Sequence, residues 1–229
     1  VEVTATDAAG NVGVDATANE LVIDITPPVV TVNNRITNDQ TPALSGTIDD
    51  NDAVVSITVA GQTKAAVNNG DGTWILADNQ LATIAPGIYD VEVTATDLAS
   101  NIGVDATTNE LIIDITAPII TVNTLITNDQ TPSLSGTIDD SDATISVTVA
   151  GQTKSAVING DGTWTLPDNE LTQIAEGTYN VTATVTDLAG NIGSDATNNE
   201  LVIDITQPTI ATLASSTANG IYKVGDIVN

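Results

Sequence analysis

The stretch "TDLAGNIGSDATNNELVIDIT" at Thr186–Thr206 decides how this 229-residue chain is organised. Nearly the same letters begin at Thr96 and again at Thr6, so the three copies lie 90 residues apart. The two tryptophans, Trp74 and Trp164, keep the same spacing. Self-similarity at a fixed period is the sequence sign of tandem structural repeats.

The period divides the chain into four predicted segments. Two complete copies align with 63 of 90 positions identical. The first residues match only the last third of a copy, and the last residues match neither copy. We therefore read the chain as an excerpt of something longer: the closing part of one domain, two whole domains, and the start of a domain of a different type, at 1–28, 29–118, 119–208 and 209–229 respectively.

The composition predicts a folded chain with an unusual charge. There are 30 acidic residues against 4 basic ones, which gives a formal net charge of −26. Aromatic residues make up 2% of the chain, yet 41% of it is hydrophobic, mostly Val, Ile, Leu and Ala. That apolar content separates it from disordered acidic tails and can supply a core of β-branched residues.

Each complete copy contains seven short stretches with the character of β-strands. In the sixth, Val91, Val93 and Ala95 alternate with polar residues, which is the period-two pattern of a strand with one buried face. Turn signals rich in Gly, Asn and Asp separate the stretches. We name the predicted strands A to G; in the first copy they are Val29–Asn33, Ala43–Ile48, Val54–Ala60, Thr63–Val67, Thr73–Ala77, Ile88–Thr96 and Glu110–Ile115.

These features together favour an all-β fold made of tandem immunoglobulin-like β-sandwiches with Greek-key connections. About 90 residues, seven short strands and one tryptophan per copy are typical of that sandwich. Tyr89 and Tyr179 open predicted strand F just after a glycine, the position of the tyrosine corner in such folds. We expect the tyrosines and tryptophans to have structural roles.

Several classes of function are excluded or disfavoured by what the sequence lacks. With no cysteine and no histidine, the chain can form neither disulfides, nor Cys–His metal sites, nor Ser–His or Cys–His catalytic centres. Paired carboxylates can hydrolyse glycosides, but no substrate cleft is evident, so we expect no enzyme. The acidity disfavours nucleic acid and anionic lipid as partners. There is no apolar run of 18 residues, so we expect no direct membrane insertion and a monomeric chain.

The acidic residues recur in loops that a sandwich would bring to one pole. The B–C, D–E and F–G loops gather where strand A begins, together with the linker from the preceding domain. Like charges about 4 Å apart repel by about 1 kcal/mol in water and about 4 kcal/mol near a protein surface, so a repeated cluster indicates a bound cation. The candidate ligands are Asp24, Asp49, Asp50, Asp52, Asp97, Asn101, Asp105 and Glu110, then Asp114, Asp139, Asp140, Asp142, Asp187, Asn191, Asp195, Glu200 and Asp204, with Asp7 and Asp15 in the first segment.

Calcium is the cation that this ligand set favours. Carboxylates, amide oxygens and backbone carbonyls are hard ligands, and Ca²⁺ takes six to eight of them in a flexible geometry, whereas Mg²⁺ demands a strict octahedron. The spacing is not that of an EF-hand. Two alternatives to a cation site stay open: Asp and Asn also occupy loops because they stabilise turns, and acidity can simply keep a protein soluble.

Three motifs carry a resemblance to a known family. "VTATDLASN…DITAPIITVN", "TPALSGTIDD" and "NGDGTW" resemble the bacterial immunoglobulin-like repeats of giant RTX-type adhesins, over residues 1–208. The resemblance implies type I secretion to the surface of a Gram-negative bacterium and a role as a rigid extender stalk. It also implies calcium near the domain junctions, with ligands at Asp49, Asp139, Asp97 and Asp187 and at the linker aspartates Asp24, Asp114 and Asp204.

The resemblance has one departure and leaves alternatives. The linkers read "DIT" followed by "PP", "AP" or "QP" where the family often has "DTTAP", and Gln207 puts the site at the third junction in doubt. A calcium-dependent glycan- or protein-binding domain is the main alternative function. An ice-binding threonine face is disfavoured because the "TATVT" alternation is short.

Overall fold

The computed structural model describes residues 2–15, 17–18, 21–195, 197–210 and 220–224. They form β-strands, turns and extended segments, and within these ranges no helix has the length and apolar character to cross a bilayer. The chain divides into two compact units. One contains Val1–Ile119, Asp142–Thr144 and Val185–Gly193, and the other contains Ile120–Ser141, Ile145–Thr184 and Ser194–Asn229.

The described chain contains twenty short strands, which repeat in order. A first antiparallel hairpin consists of β1 (Thr4–Thr6) and β2 (Val12–Val14). Residues 29–118 then form β3 (Arg35–Thr37), β4 (Leu44–Thr47), β5 (Val54–Val59), β6 (Gln62–Asn68), β7 (Thr73–Leu76), β8 (Gly87–Tyr89), β9 (Glu92–Thr96), β10 (Ile102–Val104) and β11 (Leu111–Ile113). Residues 119–208 repeat the series as β12 (Leu125–Thr127), β13 (Leu134–Thr137), β14 (Thr144–Val149), β15 (Gln152–Ile158), β16 (Thr163–Leu166), β17 (Gly177–Tyr179), β18 (Val181–Thr186), β19 (Ile192–Ser194) and β20 (Leu201–Ile203).

Each repeat consists of a large and a small sheet. In the first repeat the large sheet has the order β10-β9-β5-β6-β7-β4, and the small sheet has the order β3-β11-β8. The second repeat has the same two orders. In both small sheets the first pair of strands is parallel, β3 with β11 and β12 with β20, and the second pair is antiparallel. The all-β, immunoglobulin-like fold expected from the sequence is thereby confirmed.

Predicted strand F is divided because the chain changes sheets within it. Strand β8 pairs with β11 in the small sheet, whereas β9 pairs with β5 in the large sheet. The break falls at Asp90–Val91, and the Val91 N–H donates to the Glu110 carboxylate at 2.9 Å. A buried backbone N–H needs such a partner, so Glu110 satisfies the group that the change of sheet leaves free.

Predicted strand A also changes sheets. It meets the large sheet through an antiparallel bridge between Val30 and Ile48, supported by the bond from Thr31 N to the Thr47 carbonyl. The chain then enters the small sheet as β3, which the sequence did not predict. Five predicted strands overlap observed ones: B, C, D, E and G correspond to β4, β5, β6, β7 and β11. Strand β10 is an additional strand that follows predicted strand F.

Each repeat is built around a fully buried tryptophan. Trp74 and Trp164 are 0% exposed, and the Trp74 Nε1–H donates to the Thr31 carbonyl at 2.9 Å. Gly46 lies opposite Trp74 in the β4–β7 ladder. A Cβ on Gly46 would lie 1.8 Å from the Thr31 oxygen and 2.6 Å from Trp74 Nε1, so only glycine fits there.

The predicted tyrosine corners are present in both repeats. The Tyr89 hydroxyl donates to the Ala85 carbonyl at 2.9 Å, and the Tyr179 hydroxyl donates to the Ala175 carbonyl at 3.0 Å. Each bond closes the turn that leads into strand F.

The outer predicted segments differ in how much of them is described. The β1–β2 hairpin is the counterpart of β9–β10, but residues 21–23 form no strand although their sequence matches β11. Leu21 is 65% exposed, whereas its counterpart Leu111 is 0% exposed between β3 and β8. Most of the fourth predicted segment, at 211–219 and 225–229, lies outside the described residues, so that interpretation stays a prediction.

Candidate cation-binding site

The F–G turn of each repeat is closed by one aspartate and one asparagine. Asp97 follows β9, and its Oδ1 accepts the Asn101 N–H while its Oδ2 accepts the Asn101 Nδ2–H, both at 2.8 Å. The Asp97 N–H donates to the Asn101 carbonyl at 3.1 Å. Asp97 is only 8% exposed. The same bonds occur between Asp187 and Asn191 and between Asp7 and Asn11.

These hydrogen bonds keep the turn carboxylates ionised. Donation from the Asn101 side chain holds the pKa of Asp97 below its ordinary value, and the pKa of Asp7 is lowered in the same way by Asn11. For Asp187, burial raises the pKa, but the bonds from Asn191 outweigh it and the net direction is down. A carboxylate whose pKa is lower in the folded chain than in the unfolded chain stabilises the fold at pH values above its unfolded-state pKa. This stabilisation is lost as the pH falls through its folded-state pKa.

Replacing Asn101 by alanine should raise the pKa of Asp97 towards its ordinary value. The substitution removes the donor that most strongly favours the charged form. Carboxyl ¹³C NMR during an acid titration would measure the change, and Asp187 in the same molecule is the internal control because its partner Asn191 is intact. An unchanged Asp97 titration would show that the amide does not set its charge.

The turn contains a strained residue in the first repeat alone. Ser100 has φ = +71°, where the equivalent residues Gly10 and Gly190 have φ = +88° and +90°. A left-handed backbone conformation costs a residue that has a Cβ about 1–2 kcal/mol. Replacement by glycine removes this cost, but the greater conformational entropy of glycine in the unfolded chain cancels part of the gain.

We therefore expect Ser100→Gly to stabilise the first repeat by about 0.5–1 kcal/mol. Urea unfolding measures the gain. The reverse change, Gly190→Ser, should destabilise the second repeat through its backbone, because a Cβ at Gly190 would meet no atom closer than 3.7 Å. A loss of stability in Ser100→Gly would show that the serine is not strained.

The linker and the B–C loop lie beside this turn. The Asn101 Nδ2–H also donates to the Asp24 carbonyl at 3.1 Å. Asp49 Oδ1 accepts the Val29 N–H at 2.7 Å, and Asp50 Oδ1 accepts the Asp52 N–H at 2.8 Å. An open depression of about 310 Å³ is lined by Asp24, Thr26, Pro27, Pro28, Asp49, Asp50 and Asn51. The structure thus brings together the linker aspartate and two aspartates of the B–C loop.

Asp105 and Glu110 lie elsewhere, although the sequence predicts them at the same pole as Asp97. The Asp105 N–H donates to the Val93 carbonyl, and Glu110 Oε2 accepts the Val91 N–H. Since a strand rises about 3.3 Å per residue, Val91 is about 20 Å along the chain from Asp97. Glu110 is therefore placed where strand F changes sheets, and Asp105 lies beside Val93 within β9.

Each repeat leaves one buried carboxylate oxygen without a hydrogen bond. Glu110 is 1% exposed and Glu200 is 2% exposed, and the Oε1 of each has no hydrogen-bond partner among the described residues. Burial raises the pKa of Glu110, but donation from the Val91 N–H opposes it and the net direction is down. An ionised buried oxygen of this kind is one that a cation or a water molecule would satisfy.

The remaining candidate residues mostly stabilise turns or contact strand A. Asp24, Asp114 and Asp204 each accept the N–H of the threonine two residues later, and Asp15 does the same with Thr17. Asp195 accepts the Val122 N–H at 2.8 Å. Asp139 lines a depression of about 110 Å³ in the second unit with Ser141, Gly160 and Gly162, and Asp140 and Asp142 lie in the same B–C loop.

The oxygen ligands near the linker are of the type that calcium binds, but they do not form a cage of carboxylates. Within the described ranges, no three carboxylates converge closely enough to hold a metal by themselves. Ca²⁺ also accepts backbone carbonyls, amide oxygens and waters, and Asp24, Asp49 and Asp50 share one open depression with such groups. A calcium ion there would therefore be held by two or three carboxylates together with neutral oxygens.

Comparison with known proteins gives the fold family. The family described as "Bacterial Ig-like domain" matches residues 30–115 and 121–205, and it is a structural module with no catalytic family matched beside it. No curated protein matches the chain in sequence.

Three of the similar solved structures illustrate the likeness, each at low identity. Fibronectin(III)-like modules of Clostridium thermocellum CbhA are 11% identical with a TM-score of 0.46, over 76% of this chain and 94% of that one. A Ca²⁺-stabilized adhesin of an ice-binding Antarctic bacterium is 23% identical with a TM-score of 0.37, over 87% and 55%. A tetra-tandem repeat from the extending region of a large adhesion protein is 27% identical with a TM-score of 0.34, over 89% and 56%. The chain thus spans little more than half of each adhesin structure.

Proposed function

The chain belongs to the bacterial Ig-like domain family, and from this we propose that its repeats are a spacer segment of a bacterial surface adhesin, stiffened by calcium bound near the linkers. The observation that carries the proposal is the repeated contact of an ionised F–G aspartate, through an asparagine, with the backbone of the linker aspartate. It occurs at Asp97–Asn101–Asp24 and again at Asp187–Asn191–Asp114.

The proposed ligands act by charge and by position. The carboxylates of Asp24, Asp49 and Asp50 share one depression, and Pro27 and Pro28 limit the backbone freedom of the linker between them. When bound, calcium supplies positive charge that removes the repulsion between these carboxylates. Its removal restores that repulsion and loosens the linker.

Calcium binding of the proposed kind also indicates the location of the protein. Extracellular modules typically bind Ca²⁺ at about 10⁻⁴–10⁻³ M, which external media provide and cytosol does not. We therefore place the repeats on the surface of a Gram-negative bacterium after type I secretion, as a monomeric chain whose neighbours are further repeats. We propose no catalytic activity and no nucleic-acid or membrane partner.

Within the two complete repeats, the aromatic residues are all engaged in the fold, which disfavours a ligand-binding role. Sugar recognition by sandwich loops uses exposed aromatic rings, and both Trp74 and Trp164 are fully buried. Tyr89 and Tyr179 are engaged in their corners.

Calcium titration calorimetry on the 229-residue chain tests the proposal. We expect saturable binding that Asp49→Asn weakens at least about tenfold, because the amide keeps an oxygen but loses the charge. Asp78→Asn is the matched control, since Asp78 lies in a turn outside the depression, and it should bind calcium as the parent does. Absence of binding at about 10 mM calcium, above the range of extracellular modules, would contradict the proposal.

A further inference from the structure

The turn between β6 and β7 and the equivalent turn between β15 and β16 each contain an exposed asparagine followed by an exposed glycine. These pairs are Asn69–Gly70 and Asn159–Gly160. Asparagine is a thermolabile residue, and a following glycine leaves its backbone nitrogen accessible because it has no side chain. We infer that Asn159 is a site of spontaneous deamidation, and that its counterpart Asn69 is protected from the same reaction by Asn68.

The reaction involves only the asparagine, the next peptide nitrogen and water. The Gly160 nitrogen gives up its proton and forms a bond to Cγ of Asn159. The bond from Cγ to Nδ2 breaks, and Nδ2 leaves as ammonia with that proton. Water then opens the cyclic imide at either carbonyl, which yields aspartate or isoaspartate. No enzyme, oxidant or cofactor is needed.

The two turns have the same backbone geometry, so they form a matched pair. In each, the asparagine N–H donates to the carbonyl of the threonine four residues later, at 3.0 Å for Thr73 and 2.9 Å for Thr163. The asparagine Nδ2–H donates to the hydroxyl of the same threonine, at 2.9 Å and 2.8 Å. The glycines have φ of +73° and +81°, and a Cβ on either would meet no atom within 4 Å. Steric access to the glycine nitrogen is therefore equal.

The residue before the asparagine differs between the two turns. In the first repeat the Gly70 N–H donates to Asn68 Oδ1 at 3.2 Å. Asn68 is itself fixed, because its Nδ2 donates to the carbonyls of Asp50 and Ala53. The second repeat has Ile158 at this position, and its side chain cannot accept a hydrogen bond. The bond in the first repeat retains the proton that the glycine nitrogen must lose, so the nitrogen is the better nucleophile in the second repeat.

A second difference between the turns acts on the amide that leaves. The Asn159 Nδ2–H also donates to the Thr165 hydroxyl at 3.0 Å, where the first repeat has Ile75. This bond restrains the amide but does not engage the glycine nitrogen, so we expect it to slow the reaction without reversing the order of the two sites. Deamidation would remove the Nδ2 donor of both threonine bonds and add one negative charge to the β15–β16 hairpin.

Peptide mass spectrometry of the 229-residue chain, incubated at mildly alkaline pH and then digested with pepsin in acid, measures both conversions. The products are one mass unit heavier, and isoaspartate separates from aspartate by chromatography. We expect Asn159 to convert about two- to tenfold faster than Asn69, the factor that one ordinary hydrogen bond is worth. Asn68→Ile should accelerate the conversion of Asn69 by a similar factor, and the reciprocal change Ile158→Asn should slow that of Asn159.

Three results would overturn the inference. The first is equal conversion of Asn69 and Asn159 in the parent, and the second is unchanged conversion of Asn69 in Asn68→Ile. The third is no conversion of Asn159 after several half-lives of a synthetic peptide of residues 156–166. Circular dichroism and cooperative urea unfolding check that each variant is folded, and Ile158→Asn tests the same bond if Asn68→Ile does not fold. The reaction requires no cation, so the inference goes beyond the calcium-stiffened spacer and does not depend on it.

Discussion

Replacing Trp74 by alanine should lower the free energy of unfolding of the first repeat by about 3–5 kcal/mol. The indole is 0% exposed in a core that includes Leu44 and Ile57, and its Nε1–H is the partner of the Thr31 carbonyl. The change therefore leaves a large cavity and removes the hydrogen-bond donor of the Thr31 carbonyl. The expected loss is a large fraction of the stability of a domain of this size.

Urea unfolding of the 229-residue chain, followed by circular dichroism, would measure this loss. Trp164→Ala should produce a similar loss in the second repeat, so each variant should move one transition. Trp74→Phe keeps most of the volume and should lose clearly less. A loss below about 1 kcal/mol in Trp74→Ala would show that the tryptophan is not the centre of the core.

Replacing Gly103 by alanine should cost the first repeat at least about 3 kcal/mol, at the upper end of overpacking effects. Gly103 is buried in edge strand β10, and a Cβ there would lie 1.7 Å from the Pro28 carbonyl oxygen. The atom it meets is backbone, so no side chain can rotate away. The clash would push apart β10 and the start of predicted strand A.

Gly13 provides the matched control because it is the equivalent residue of β2. A Cβ on Gly13 would meet nothing closer than 3.9 Å, so Gly13→Ala should be neutral or stabilise by about 0.5 kcal/mol. Equal effects of the two substitutions would show that β10 and Pro28 are not in contact.

Much of this fold could be predicted because the repeat supplies two copies of each local signal. The alternation of Val91, Val93 and Ala95 identified strand F, and the glycine before Tyr89 identified the tyrosine corner. The change of sheet at Asp90 could not be predicted, because both sheets bury alternate residues and the alternation continues across the break. Strand β3 was missed because it pairs in parallel with β11, which lies more than about 70 residues away in sequence and gives no local signal.

The candidate site was predicted in part. Asp97, Asn101 and the linker aspartate Asp24 do lie together, as the positions of the turn and the linker indicated. Glu110 was placed at the same pole because the segment after Asp97 was taken as one long loop, whereas β10 leads the chain back along the sandwich.

Thermal unfolding of the 229-residue chain in millimolar calcium and in chelator, with small-angle scattering in both buffers, tests the calcium-stiffened spacer most directly. Calcium at about 10 times its dissociation constant adds about 1.4 kcal/mol per site, which corresponds to a rise in Tm of about 5–10 °C for a repeat of this size. We expect that rise together with a longer, stiffer particle, and little effect of magnesium at the same concentration. Identical melting and scattering in calcium and chelator would contradict the proposal and leave the aspartates as turn residues and solubilising charge.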